Sequence, residues 1–162
     1  MKNRTNALAD RLENGAAALA DFASSLATAE WETPIPHDGR KVGVVVHHVA
    51  SVYPIEIQLA RAIAGRKPIE GVTSDDIDAM NAGHARENTA VRKEDALDLL
   101  RRNSAAAAAA IRELNDDELD HAAPASLYSG APVTAQFVLE DHAVRHSYHH
   151  LARIQRTLKE QA

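Results

Sequence analysis

Long stretches of helical periodicity constrain the fold of this chain more than any other feature. Apolar and small residues recur with a 4-3-4-3-4 spacing from Leu8 to Leu26, which places them on one face of a helix. Similar periodic segments cover about residues 41–64, 93–114 and 132–159. Val42–Val46 is the only β-like run, and it continues into a helical stripe. The sequence therefore predicts an all-α protein, a four-helix bundle in a single domain over residues 1–162.

Turn-forming residues separate the first two segments. The stretch from Trp31 to Gly39 contains two prolines and an Asp-Gly pair, which end any helix there. We expect Asp38 to cap the second helix. Pro54 falls inside that helix and should kink it or break it locally.

A short extra helix is predicted in the connection between the second and third main helices. It begins at Thr73, which is followed by acidic residues suited to a first turn, and it ends near Asn88. Residues 115–132 form an irregular connection rich in Asp, Pro and Ser. We expect Pro132 at the first position of the last helix, where a missing N–H costs nothing.

Composition excludes several classes of function. The formal charge of -5 gives no basic surplus, so neither nucleic acid nor an anionic membrane is an expected partner. No stretch reads as long and apolar enough to cross a bilayer, and the N-terminus lacks a signal-peptide core, so the expected location is cytoplasmic. Cysteine is absent, which excludes disulfides, a catalytic thiol and cysteine-ligated zinc. Any metal site must use His, Asp or Glu.

Nine histidines are many for a domain of this size, and helical phase separates them. At about 100° per residue, His48 lies at the centre of the apolar stripe of the second helix, whereas His47 points away from it. A histidine buried among valines must satisfy its ring nitrogens, either with a polar partner or with a metal.

The last helix offers two pairs of histidines spaced by four residues. His150 and His146 lie roughly 60° and 100° from the centre of its apolar arc, whereas His142 and His149 lie about 140° and 160° away, on the solvent side. The i,i+4 spacing stacks two side chains on one face, so both nitrogens can reach one ion. We therefore predict a divalent metal site at His48, His146 and His150.

Other residues are weaker candidates for the surroundings of this site. Asn81 and His84 share a face of the short extra helix and either line a pocket mouth or form a solvated surface. Glu140 lies on the core side of the last helix, where it could orient a ligand histidine or pair with an arginine. Tyr53 precedes Pro54 and is a further candidate, although its helical phase is unfavourable.

Alternative sites find little support in the sequence. The di-iron pattern Glu-x-x-His is needed twice but occurs once, at Glu118 and His121, in the irregular connection. The patterns His-Glu-x-x-His and Gly-x-Ser-x-Gly and the phosphate-binding glycine loops are all missing.

Two short motifs resemble the DinB-like (DinB/YfiT) superfamily. The run Val-Gly-Val-Val-Val-His-His-Val-Ala at 42–50 is similar to that family's second-helix motif. The run Arg-His-Ser-Tyr-His-His-Leu-Ala-Arg-Ile at 145–154 is similar to its last-helix His-x-x-x-His motif. The family often continues with Arg-Gly-Gln after the final histidine, whereas this chain has Leu151-Ala152-Arg153.

The resemblance implies a metal triad that falls on His48, His146 and His150, with zinc or nickel as the usual ion and a homodimer as the frequent assembly. Some relatives are transferases or isomerases that use a low-molecular-weight thiol. The resulting hypothesis is a metal-dependent enzyme that activates water or a small-thiol co-substrate, either a hydrolase or a thiol-dependent transferase. The alternative is a non-catalytic bundle that binds metal structurally or serves dimerisation. Histidine ligands alone suit zinc, nickel, copper and iron.

Overall fold

The computed structural model describes residues 3–161. The helices and strands within that range are α1 (Asn3–Ser25), α2 (Thr28–Trp31), α3 (Val42–Ala64), α4 (Ser74–Glu87), α5 (Lys93–Glu113), α6 (Asp116–Leu119), β1 (Ala122–Pro124), β2 (Pro132–Thr134), α7 (Ala135–Val138) and α8 (Arg145–Gln161). A single 3-10 turn, Ser126–Tyr128, separates the strands, and a π-helical segment, Leu139–Val144, joins α7 to α8.

Four long helices surround the core, as the periodicity predicts. Helix α1 packs between α5 and α8, and α3 packs between α5 and the helix formed by α7, the π-helical segment and α8. Their facing positions are filled by leucine, isoleucine, valine and many alanines. Because alanine is small, these helices approach closely while burying little area per residue. The predicted all-α four-helix bundle is confirmed.

The extra helix α4 lies between the second and third main helices, where it was expected. Thr73 caps it by accepting a hydrogen bond from the backbone N–H of Asp76, whose carboxylate accepts one from the N–H of Thr73. None of the residues of α4 is buried. This helix is therefore held to the bundle by one partly covered face, mainly against α3.

The entry to α3 differs from the prediction. Its N-cap position is Lys41, without a side-chain cap, and Asp38 instead forms ion pairs with Arg40 and Arg153. Pro54 does not interrupt the helix, which runs on to Ala64. The prediction that Asp38 caps α3 is therefore wrong: two arginines occupy its carboxylate, which lies before the first turn.

Helix α3 begins against a tryptophan. A Cβ added at Gly43 would lie 2.3 Å from the indole of Trp31, so only glycine permits this approach. The indole N–H donates to the carbonyl of Val91 at 3.1 Å. Trp31 therefore ties the start of α3 to the segment before α5.

The irregular connection contains a small antiparallel hairpin. Pro132 pairs with Pro124 in it, and the last helix starts later, at Ala135, with Thr134 as its N-cap. The predicted position of Pro132 in the first helical turn is wrong. Thr134 occupies the N-cap position instead, because its hydroxyl accepts a hydrogen bond from the backbone N–H of Phe137 at 3.1 Å.

Helix α3 corrects the expectation that no stretch of the chain is long and apolar enough to cross a bilayer. Val42–Ala64 is long and apolar enough to cross a bilayer by length and composition, but 67% of its most apolar window is buried inside the bundle. Its hydrophobicity is that of a helix covered by its neighbours on most sides.

Candidate metal centre

Three histidines from two helices converge at one end of the bundle. His48 comes from α3, and His146 and His150 come from successive turns of α8. Each offers a ring nitrogen, and these three nitrogens lie within 4.8 Å of one another. His48 and His150 are both only 5% exposed. The structure thus brings together the three residues that the sequence selected.

A carboxylate orients one of these rings. Oε1 of Glu56 lies 2.6 Å from Nδ1 of His146, and the glutamate is buried on α3. Because an ionised carboxylate only accepts, Nδ1 of His146 carries the proton, and Nε2 keeps its lone pair for a ligand. The sequence analysis missed Glu56. Its signal was available, since it is the only acidic residue between Val42 and Ala64.

Burial keeps two of the rings neutral. It lowers the pKa of His48 to about 3, aided by the positive charges that His146 and Arg40 can carry. Burial likewise lowers the pKa of His150 to about 2, aided by the neighbouring histidines. A neutral imidazole has a free lone pair, which is the form that binds a metal ion.

The site opens onto a cavity of about 530 Å³. Val52, Ile55 and Leu59 of α3 form its apolar side, and His48 lies on the same side of the helix. Ile55 is 39% exposed. His48 is therefore buried at the edge of the core and not at the centre of the stripe, because part of the apparent core face of α3 lines this cavity.

Tyr128 lies on the cavity wall formed by the connection and the π-helical segment. Its hydroxyl donates to Oδ2 of Asp141 at 2.8 Å and lies 2.6 Å from Nε2 of His142. Burial raises the pKa of Tyr128, and the bond to Asp141 raises it further, so the hydroxyl keeps its proton at neutral pH.

His142 lines the cavity, although helical phase predicted a position on the solvent side. The π-helical segment contains this residue and fits more residues into each turn than the α-helix assumed in the prediction. His149 is exposed, as predicted, and also reaches the cavity rim.

Two further predicted residues lie on the α4 side. Nε2 of His84 lies 2.8 Å from Nδ1 of His47, and the ring of His84 stands edge-on to His48 with centroids 5.6 Å apart. Burial lowers the pKa of both His47 and His84. Asn81 lines the cavity one turn before His84. His47, predicted to point outward, is in fact half-buried against α4.

Glu140 and Tyr53 do not contact the triad. Glu140 forms an ion pair with Arg11 of α1 at 2.7 Å, which was the alternative interpretation of this residue. Tyr53 is fully buried in the core, where its hydroxyl bonds to that of Ser147. The role that the sequence analysis considered for Glu140 is filled by Glu56, because the π-helical segment shifts Glu140 relative to α8.

Unpartnered polar atoms concentrate at this site. Within residues 3–161, the buried side-chain nitrogens and oxygens without a hydrogen-bond partner belong to Arg40, His48, Glu56, Asn81, His84 and His150. All of these residues except His84 line the cavity, and His84 contacts His48. Buried polar groups are normally paired, so a cluster of unpaired ones indicates a binding site.

The donor set fits a divalent metal ion. It consists of three imidazoles next to a cavity, two of them kept neutral by burial and the third oriented by a carboxylate. Three protein ligands beside open space are the pattern of a site that leaves a coordination position free, whereas closed structural sites use four.

The four-helix bundle and its inward-facing histidine triad place this chain among small helical proteins with a candidate metal site. The DinB superfamily matches residues 8–154. Since this match covers most of the chain, the protein belongs to the DinB superfamily.

One solved structure with the same fold is that of YfiT from Bacillus subtilis, described as a probable metal-dependent hydrolase with an unusual four-helix bundle topology. The two chains are 19% identical and superpose with a TM-score of 0.78 over 99% of this chain and 89% of YfiT. At this identity the likeness shows the fold alone. No protein with a curated function matches the sequence.

Proposed function

We propose that this protein is a metal-dependent enzyme in which His48, His146 and His150 hold one divalent ion, zinc or nickel. The reaction is of the hydrolase type or is a transfer to a small thiol. The observation that carries the proposal is the convergence of three ring nitrogens within 4.8 Å at a cavity wall. The description of YfiT as a probable metal-dependent hydrolase supports the same class of activity.

An ion at such a site supplies Lewis acidity and lowers the pKa of a bound water or thiol toward neutrality. Glu56 holds the proton of His146 at Nδ1 and fixes the orientation of that ring. The apolar side of the cavity excludes water from part of the substrate. The hydroxyl of Tyr128 donates its proton to Asp141 and thereby holds that carboxylate in the cavity wall.

Thiol chemistry at this site requires a thiol co-substrate. The chain has no cysteine, so a sulfur nucleophile must come from a second substrate. A cavity of about 530 Å³ falls within the range of small-molecule sites. We propose a low-molecular-weight thiol as the co-substrate of the transferase form of the reaction.

The cavity favours this proposal over a non-catalytic bundle with a structural ion. A structural site is closed and completes its coordination with protein atoms. Glu56 is the carboxylate bonded to the triad, and its Oε1 is engaged by Nδ1 of His146, whereas the metal-ligand group consists of the three histidines alone. The side of the triad that faces the cavity is available to substrate.

Metal content tests the proposal most directly. Protein purified without an affinity tag should contain about one divalent ion per chain by elemental analysis. His146→Ala and His150→Ala should each abolish stoichiometric binding, whereas His149→Ala should retain it. His149 is the matched control, because it lies on the same helix beside His150 but outside the triad.

Retention of a full equivalent of metal by both triad variants would disprove the site. A wild-type protein that binds metal but shows no turnover in ester-hydrolysis and thiol-transfer screens would support the structural alternative. The same screens run with His149→Ala would show whether turnover, where observed, depends on the rim of the cavity.

A further inference from the structure

A metal ion accounts for only part of the unpartnered cluster. It would engage the rings of His48 and His150, and Glu56 belongs to the same unit through His146. Three atoms remain: Nη1 of Arg40, Oδ1 of Asn81 and Nδ1 of His84. Arg40 and Asn81 line the side of the cavity formed by α4 and the loop that enters α3, and His84 of α4 contacts His48.

Arg40 is bound by Asp38 while the donors of its Nη1 stay unpartnered. Its Nε and Nη2 donate to the two oxygens of Asp38 at 2.5 and 2.7 Å. A guanidinium has five N–H groups in one plane. The bond pair to Asp38 uses one edge of that plane, so the edge carrying Nη1 retains donors for a second oxyanion.

Asp38 binds a second guanidinium group. Arg153 of α8 also pairs with this carboxylate, at 3.1 Å. Two guanidinium groups thus share the one negative charge of Asp38.

The cavity wall also carries three carboxylates. Glu56 is buried beside the triad, and Asp141 is engaged by Tyr128 and Arg145. Asp78 of α4 is exposed and lines both the cavity and an adjoining groove. Arg40 lines both the main cavity and this groove of about 720 Å³, which also contains Lys41 and Arg86.

We propose that Arg40 anchors an oxyanion of the substrate, a carboxylate or a phosphate group, through the edge of its guanidinium that carries Nη1. Asn81 lies on the same wall, where its amide nitrogen is the group able to donate to an oxyanion. The inference rests on the proposed function in one respect, namely that substrate enters the cavity beside the triad. Arg40 is thereby a substrate-binding residue that selects for anionic substrates.

Titration calorimetry with two probe anions, malonate and inorganic phosphate, tests this assignment. The protein is used with its metal content measured, and each titration is repeated after the metal is removed with a chelator. Arg40→Met should weaken binding of the preferred anion by roughly ten- to hundredfold, the effect of losing a charge-assisted pair of hydrogen bonds. Arg61→Met is the control, since Arg61 pairs with Glu113 on the surface.

Arg40→Lys guards against a folding defect in the first variant. The lysine keeps a positive charge next to Asp38 but lacks the planar group that can bind two oxyanions at once. This variant should therefore also bind the anion more weakly. Its thermal unfolding should stay close to that of the wild type. A preference for malonate identifies a carboxylate substrate, and a preference for phosphate identifies a phosphorylated one.

Equal anion affinity in the wild type and in both Arg40 variants would overturn the assignment, and so would the lack of saturable binding of either anion to the wild type. These outcomes are separate from failure of the metal proposal. A chain that binds no metal, yet binds an anion through Arg40 in the chelator-treated state, would refute the metal centre and leave the anion site intact.

Discussion

The two walls of the cavity are built in opposite ways. The wall that carries the triad consists of α3 and α8, whose backs are packed into the core. The facing wall consists of the loop with Arg40 and helix α4, which has no buried residue. The α3–α8 wall presents imidazoles backed by apolar packing. The α4 wall presents a guanidinium and an amide with unpartnered atoms.

This difference separates the tasks of the site. A metal ligand must be held within a few tenths of an ångström, and packed helices provide that rigidity. Substrate must enter and leave, and a helix with few buried contacts can move at little cost. The contrast assigns ion binding to the α3–α8 wall and substrate recognition to the α4 wall.

Matched isoleucines test the difference in packing, and this is the largest expected effect. Ile154 is fully buried on α8, and Ile77 is half-buried on α4 where it lines the cavity. Ile154→Ala should lower the free energy of unfolding by about 2–5 kcal/mol. Ile77→Ala should lower it by less than about 1 kcal/mol, because little apolar area is lost from the core.

Urea unfolding of the two variants measures both values. Comparable losses would show that α4 is as integral to the bundle as α8 and would remove the basis for a mobile wall. Hydrogen exchange adds a second readout, since amides of α4 should exchange faster than those of α8.

The packed wall is also the part of the protein that the sequence predicts well. Burial decides the placement of His48, His146 and His150, and burial leaves a periodic signal that helical phase detects. The four-helix bundle and the position of α4 follow from the same signal. His146 and His150 were placed correctly because α8 is regular over that stretch.

The remaining features of the site depend on interactions that leave no periodic pattern in the sequence. The π-helical segment shifts His142 into the cavity and Glu140 toward Arg11. Arg40 and Asp38 are placed by mutual ion pairing in a loop, where no repeating pattern exists. Glu56 could have been predicted, because it is the only acidic residue in the apolar segment 42–64. The phase shift at 139–144 leaves no such signal in the sequence.

Two glutamates, Glu56 on α3 and Glu140 in the π-helical segment, provide a second test. Glu56→Gln replaces the carboxylate that accepts from His146 with an amide, a weaker acceptor, and should reduce metal affinity by about ten- to hundredfold. Glu140→Gln should leave metal affinity unchanged, because Glu140 pairs with Arg11 on the outside of α8. Competition with a chromophoric chelator measures both affinities. A large effect of Glu140→Gln would place that residue at the site after all.

The ion pairs of Asp38 link the two walls, and they give the smallest expected effect. Burial alone would raise the pKa of Asp38, but its hydrogen bonds to Arg40 and the charges of Arg40 and Arg153 lower it to about 2. A carboxyl group whose pKa is lower in the folded state stabilises the fold above its unfolded pKa of about 3.9 and loses that contribution as pH falls toward 2.

Asp38→Asn should therefore lower the free energy of unfolding by roughly 1–2 kcal/mol at neutral pH. The difference from the wild type should shrink steadily as the pH falls below about 4, since both arginines stay charged throughout this range. Urea unfolding of the two proteins at a series of pH values measures this difference. A gap that stays constant down to pH 3 would mean that Asp38 acts through the shape of its hydrogen bonds, which asparagine partly retains. The case for Arg40 as an anion anchor would be unchanged by that result, since it rests on the free edge of the guanidinium.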